Sequence, residues 1–127
     1  MGNLMFVFLG GGLGAVARWQ TGHWAMRAFG TAWPWGTFIV NVLGGLLMGV
    51  LASWLAHRGG VGQDRWRVLL GVGVLGGFTT FSAFSLETAL MIERREYSGA
   101  AAYALASVLL SVGALFVGLL LARKVFA

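Results

Sequence analysis

The chain predicts an all-α membrane protein of four transmembrane helices, the third broken in mid-membrane. Three observations predict it. Hydrophobic residues make up 58% of the 127 positions and charged residues only 10%, against roughly 25% charged in a soluble domain. The apolar residues gather into four runs, each close to the roughly 20 residues a bilayer-crossing helix needs. Glycine occurs 21 times, and Gly10/Gly14, Gly45/Gly49 and Gly73/Gly77 form the small-xxx-small pairs that let helix backbones approach in lipid. The length suits one domain, residues 1–127.

The first helix is expected from about Leu4 to Arg27. Its "LMFVFLGGGLGAVA" opening has the apolar core of a signal peptide, but no Lys or Arg precedes it and the apolar pattern resumes after Arg18, so it is read as retained. "MGNLMF" lacks the Ser or Thr of a myristoylation site. "FGTAWPW" holds the only proline and predicts a turn. The second helix is expected over about 36–56, followed by a polar, Gly-rich loop, "HRGGVGQDRWR". The third is expected over about 68–92, "ERREYSG" is a tight connection, and the fourth runs over about 100–122 before Arg123 and Lys124. The N-terminus, the 57–67 loop and the C-terminus then share one side of the membrane, side A. The 29–35 turn and the 93–99 connection lie on side B. The six tryptophans suit interfacial anchors.

Several function classes drop out. With no cysteine there is no disulfide, thiol nucleophile or Cys metal site. The formal charge of +5 comes from nine basic residues scattered among apolar runs, so no basic face exists for nucleic acid. "GGGLGA" fits the loose dinucleotide fingerprint, but no strand precedes it and no acidic residue follows at the required distance. No nucleophile, acid–base pair or metal cluster is placed for an enzyme.

Ionisable residues inside a membrane span point to function. Arg18 lies nine residues before Arg27, and Glu87 six before Glu93, roughly 14 Å and 9 Å from side B at 1.5 Å per residue. The plainer reading is a structural ion pair, or Arg18 snorkelling to water. Asn41 follows Thr37 by one helical turn, and an amide in hydrocarbon needs a partner. Tyr103, Ser107 and Ser111 recur at i, i+4, i+8 and align three hydroxyls on one helix face. Arg18, Asn41, Glu87 and Tyr103 all fall in the side B half, which reads as a vestibule narrowing into a polar track.

"GGFTTFSAFS", residues 76–85, interrupts the third apolar run. Phe78, Phe81 and Phe84 are spaced by three, as are Thr79, Ser82 and Ser85. Gly76-Gly77 makes a helix break cheap. Irregular backbone at membrane depth survives only when buried in protein or lining a hydrated cavity. Its freed carbonyls suit a cation; its amides and hydroxyls, including Thr80 and Ser82, suit an anion.

"GGGLGAVARW", "WPWGTFIVNVLGG" and "GGFTTFSAFSLE", in that order, resemble the small bacterial fluoride channels of the Fluc, or CrcB, family. The resemblance covers essentially the whole chain and implies a passive fluoride channel, an antiparallel homodimer of four-helix subunits with two pores, in the bacterial inner membrane. It also implies Phe81 and Phe84 as pore phenylalanines, Asn41 as a pore-lining amide, and Arg18 with Tyr103, Ser107 and Ser111 as parts of the ion path. Thr37, Thr80, Ser82 and Glu87 complete the expected pore set. Backbone carbonyls of Gly76 and Thr79 from both subunits would hold a central structural sodium ion. Ala83 departs from the threonine that many members carry between the two phenylalanines. The alternative is a proton-coupled small multidrug transporter, which needs a titratable carboxylate in its chamber. The first span has none, which leaves Glu87.

Orientation follows Lys and Arg in short loops. Side A would carry Arg58, Arg65, Arg67, Arg123 and Lys124, against Arg27, Arg94 and Arg95 on side B. So weak a bias predicts dual topology, the condition for an antiparallel dimer.

Overall fold

A computed structural model describes residues 2–58 and 63–126. Helix α1 spans Gly2–Phe29 and α2 spans Trp35–Arg58. A third rod begins with α3, Gln63–Trp66, continues as a π-helical stretch over Arg67–Leu75, and ends in α4, Gly76–Phe78. Helix α5, Phe81–Glu93, resumes after two extended residues, and α6 covers Tyr97–Phe126. The order of elements matches the expected four spans, with each helix longer at its ends than the apolar runs. The expected 57–67 loop is shorter on its C-terminal side, because residues 63–67 are already helical; 59–62 lie outside the described residues.

The ends have local causes. Gly30 takes a left-handed conformation, φ +84°, and its amide returns to the Met26 carbonyl at 2.9 Å, closing α1. Pro34 then precedes the first residue of α2, where a missing amide costs nothing. The α5–α6 connection is shorter than expected. Arg95 sits at φ 61°, and the Glu96 amide bonds back to the Met91 carbonyl at 2.9 Å.

Glycine contacts set the helix pairing. A Cβ on Gly10 would meet backbone at Gly73 and Val74, and one on Gly14 would strike the Val74 carbonyl. One on Gly77 would meet the Gly11 backbone. Gly45 and Gly49 lie against the carbonyls of Ser111 and Leu115, and Gly118 returns the contact at Leu46. The small-residue pairs therefore join α1 to the third rod and α2 to α6, at distances that no larger side chain permits.

The Asn3 side-chain amide donates to Asp64 at 3.1 Å, and Arg67 pairs with Asp64 at 2.6 Å, so the start of α1 and the start of the third rod share one end. At the other end Trp33 and Phe38 pack on Met91, Ala100 and Tyr103. This is the arrangement of sides A and B read from the sequence. Among the described residues, Trp35–His57, Gln63–Glu93 and Tyr97–Val125 are long and apolar enough to cross a membrane. Helix α1, at 28 residues, is long enough, but its glycines with Arg18, Gln20 and His23 dilute its apolarity.

Candidate functional site

The third rod breaks at Thr79 and Thr80, not at the glycines. Gly76 and Gly77 are helical, whereas Thr79 and Thr80 adopt φ/ψ of −84°/158° and −149°/120°. The reason lies on α2. Asn41 clamps the Thr80 backbone from both sides. Its Nδ2 donates to the Thr80 carbonyl at 2.9 Å, and its Oδ1 accepts the Thr80 amide at 2.8 Å. In an unbroken helix that amide would donate to Gly76, four residues back. Thr80 also starts the next helix, because its hydroxyl accepts the Ala83 amide at 3.1 Å as an N-cap. The Thr79 hydroxyl, by contrast, donates to the Leu75 carbonyl at 3.0 Å.

Two cavities meet at this break. The first, of about 400 Å³, brings together Asn41, Thr79, Thr80, Phe81 and Phe84 with Ser107 and Ser111 of α6. Gly76 lines it too. The Ser107 and Ser111 hydroxyls are buried without a hydrogen-bond partner among the described residues. Buried hydroxyls are normally paired, so two unpaired ones along one cavity are donors available to a ligand. Asn41 adds a second N–H beyond the one it gives Thr80. The Phe81 and Phe84 rings lie 5.5 Å apart at 41°, and Phe84 continues to Tyr103 at 5.3 Å. Phe81 is 77% exposed on the single chain, whereas Phe84 is half-buried.

The second cavity, of about 350 Å³, opens near the 30–35 turn and holds Arg18, Thr37 and Glu87. Thr80 and Ala83 line it as well, and Thr80 is common to both cavities. Arg18 and Glu87 are not an ion pair. Arg18 Nε donates to the Gly77 carbonyl at 3.1 Å, and Glu87 accepts a short hydrogen bond from the Thr37 hydroxyl. This corrects the plainer sequence reading: Arg18 ties α1 to the rod just before its break, and Glu87 ties α5 to α2.

Two of the expected pore residues line neither cavity. Tyr103 is fully buried beneath Trp33 and Phe84 and lines neither cavity, although its hydroxyl lies beside Thr37 and Glu87. The aligned triad on α6 thus divides, with Ser107 and Ser111 at the first cavity and Tyr103 in the aromatic packing at its side B end. Ser82 is exposed and lines neither cavity; its hydroxyl is 3.3 Å from that of Thr80.

The sodium expectation has a structural test. A carbonyl free to ligate a cation must have lost its helical donor. Gly76 meets this, since the Thr80 amide has turned to Asn41, and both Gly76 and Thr79 line the first cavity. The Gly77 carbonyl does not, being held by Arg18. Were a cation held here, the Gly76 and Thr79 carbonyls are the oxygens that would face it.

Residues 5–119 match the family described as CrcB-like protein, Camphor Resistance (CrcB). This chain belongs to the CrcB family. Curated relatives of this CrcB chain include a protein of Caulobacter sp. (strain K31), 65% identical over 127 residues, covering 100% of this chain and 99% of its own. One of Phenylobacterium zucineum (strain HLK1) is 65% identical, with both chains fully covered. Both are named fluoride-specific ion channel FluC. A third, from Nitrobacter hamburgensis, is 54% identical over 121 residues, 95% of this chain and 97% of its own, and is named fluoride-specific ion channel FluC 2. The family is one of membrane proteins that are ion channels and not enzymes, in keeping with the apolar helices.

Sequence reasoning missed some residues that line these two cavities. Gly44 and Met48 line the first cavity, and Trp19, Gly22, His23 and Met26 line the second. The latter four recur at 0, 3, 4 and 7 along α1, a helical stripe that marks one face.

Proposed function

We propose that the chain is a fluoride-selective channel that lets fluoride leave the cell passively. The observation that carries this reading is the first cavity: two unpaired serine hydroxyls, the Asn41 amide and the Phe81 and Phe84 rings converge there beside a broken helix. The hydroxyls and the amide can donate, and aromatic rings present a positive edge, both of which suit an anion. Fluoride in particular is supported by the names of the relatives. A small, strongly hydrated anion gives up water only to close substitutes, and a narrow donor-lined path provides them. Fluoride would gather in the second cavity beside Arg18, pass Thr80, and run along Ser107 and Ser111.

The working unit is an antiparallel homodimer in the bacterial inner membrane, with all four long helices crossing the bilayer, the break at mid-depth and two pores. The 77% exposure of Phe81 supports it, since a pore phenylalanine needs a second surface to close its pore. A structural sodium ion on the dimer axis would be held by the Gly76 and Thr79 carbonyls of both subunits. It would fix the two breaks against each other. Dual topology follows from the weak Lys/Arg bias. Tagging the C-terminus and labelling with a membrane-impermeant reagent should give substantial signal from both sides; labelling of active protein from one side only would overturn the antiparallel arrangement.

The deciding experiment is anion efflux from proteoliposomes. Fluoride should leave and chloride stay, with or without a proton gradient. Fluoride flux that requires proton counter-flow would favour the coupled transporter, with Glu87 as its carrier. Phe81→Ile and Phe84→Ile should each lower fluoride flux by about tenfold or more, equivalent to about 1.4 kcal/mol, while the protein stays folded. Phe116→Ile is the matched control, because Phe116 is 59% exposed on α6. Phe78 is unsuitable, being only 7% exposed and part of the core. Equal flux in all three variants would remove the phenylalanines from the pore.

A further inference from the structure

We infer that His23 is an anion-capturing residue whose protonation sets the net charge of the side B cavity, and with it the rate of fluoride capture; this rests on the channel reading. The cavity is lined by three ionisable side chains: Arg18 and His23 from α1, and Glu87 from α5. With neutral histidine, the arginine and the carboxylate balance. Nothing then draws an anion toward the mouth over distance. With protonated histidine the cavity carries one net positive charge, and clefts lined by one sign of charge concentrate counter-ions.

The geometry around the ring favours this role. His23 Nδ1 lies 3.2 Å from the Trp19 carbonyl. A carbonyl only accepts, so Nδ1 carries the proton of the neutral ring and Nε2 is left bare. The ring also lies against the Trp19 indole, with centroids 4.2 Å apart. Proton uptake at Nε2 therefore adds a charge and a hydrogen-bond donor to a ring already held in place. His23 lies four residues before Arg27, near the side B end of α1, and lines the cavity together with the 30–34 turn at its mouth, so protons reach it from that side.

The surrounding charges do not take over the role. Arg27, one turn further along α1, does not line the cavity, and neither do Glu93, Arg94, Arg95 or Glu96 of the α5–α6 connection. Arg94 pairs with Glu96 at 3.4 Å. The lining from α2 and from the 30–34 turn includes no charged residue.

The test is fluoride efflux from proteoliposomes at symmetrical pH of about 7.5 and about 5.5, with leak from protein-free vesicles subtracted. The wild-type rate should rise by about threefold on acidification, the scale of one added charge acting through partly screened solvent. His23→Asn should hold the lower rate at both pH values, and His23→Lys the higher rate at both. A wild-type rate equal at the two pH values overturns the inference, as does an acid-driven rise that persists in His23→Asn, which would assign the titration to Glu87. Absence of wild-type fluoride flux at either pH would instead defeat the channel reading itself.

Discussion

Asn41→Leu is expected to lower fluoride efflux by at least about tenfold and to destabilise the protein by about 2–4 kcal/mol. The substitution removes both bonds to Thr80, the donor at 2.9 Å and the acceptor at 2.8 Å. Each polar group left without a partner costs about 1–3 kcal/mol, and the lower part of that range applies because the site is only half-buried. The flux loss has a second source. Where the freed Thr80 amide re-pairs with the Gly76 carbonyl, the stability cost falls to that of the orphaned Thr80 carbonyl, at the lower end of the range, but the rod then continues as helix and the cavity loses its irregular wall. Asn41→Asp separates the two effects. Its carboxylate still accepts the Thr80 amide, so stability should fall less. It also sets a negative charge beside the anion path, so flux should fall as far as in the leucine variant. Thermal unfolding in detergent and efflux from liposomes read the two quantities. Wild-type flux in Asn41→Leu would exclude the clamp from the pore.

The break shows what a sequence conveys and where it stops. That the third apolar run is interrupted is legible in "GGFTTFSAFS", because hydroxyls and paired glycines are poor filling for hydrocarbon. The natural inference places the break at Gly76-Gly77, where backbone freedom is greatest. Those glycines instead serve close packing: a Cβ on Gly77 would strike the Gly11 carbonyl. The break falls at Thr79–Thr80 because Asn41, 39 residues away, supplies both bonds that the helix loses. Sequence marks Asn41 as needing a partner without naming the partner. Arg18 and Glu87 teach the same lesson. Opposite charges on the same half of a bundle suggest a pair, yet each finds a neutral partner, a carbonyl and a hydroxyl. Long-range partner choice depends on helix rotation, and local periodicity fixes that only coarsely. The π-helical stretch over Arg67–Leu75 has no local signature of this kind either; it shifts the register of the rod. By contrast, close helix packing was readable, since two backbones can approach wherever side chains are missing. Which helices would pair was not: Gly45 and Gly49 meet the Ser111 and Leu115 carbonyls of α6, and nothing in the spacing names that partner.

The glycines separate into those that hold helices together and those that do not, and alanine scanning should resolve them with opposite signs. Gly113→Ala is expected to be neutral or to stabilise by up to about 1 kcal/mol, the helix-propensity gain of alanine over glycine. Gly113 lies within α6, and a Cβ there has nothing within 4 Å. Gly49→Ala makes the same chemical change with the opposite result. Its Cβ would overlap the Leu115 carbonyl and sit 3.0 Å from the Leu119 amide nitrogen, both backbone atoms that cannot rotate aside. A Cβ on Gly118 would in return sit 3.0 Å from the Val50 amide nitrogen, so the contact has no slack on either helix. Separating α2 from α6 is the remaining response. Overpacking of this kind costs about 1–3 kcal/mol, enough to outweigh the propensity gain. The functional loss should exceed the stability loss, because α2 carries Asn41 and α6 carries Ser107 and Ser111. A shift between these helices misplaces the donors lining one cavity without unfolding the bundle. Fluoride efflux from Gly49→Ala should therefore fall by about tenfold or more in protein that still elutes as a single species, equivalent to about 1.4 kcal/mol or more. Gly113→Ala should conduct as the wild type does. Loss of stability in Gly113→Ala would reveal a partner surface on that face of α6, whereas an unchanged Gly49→Ala would mean that the α2–α6 contact is looser than the backbone geometry allows.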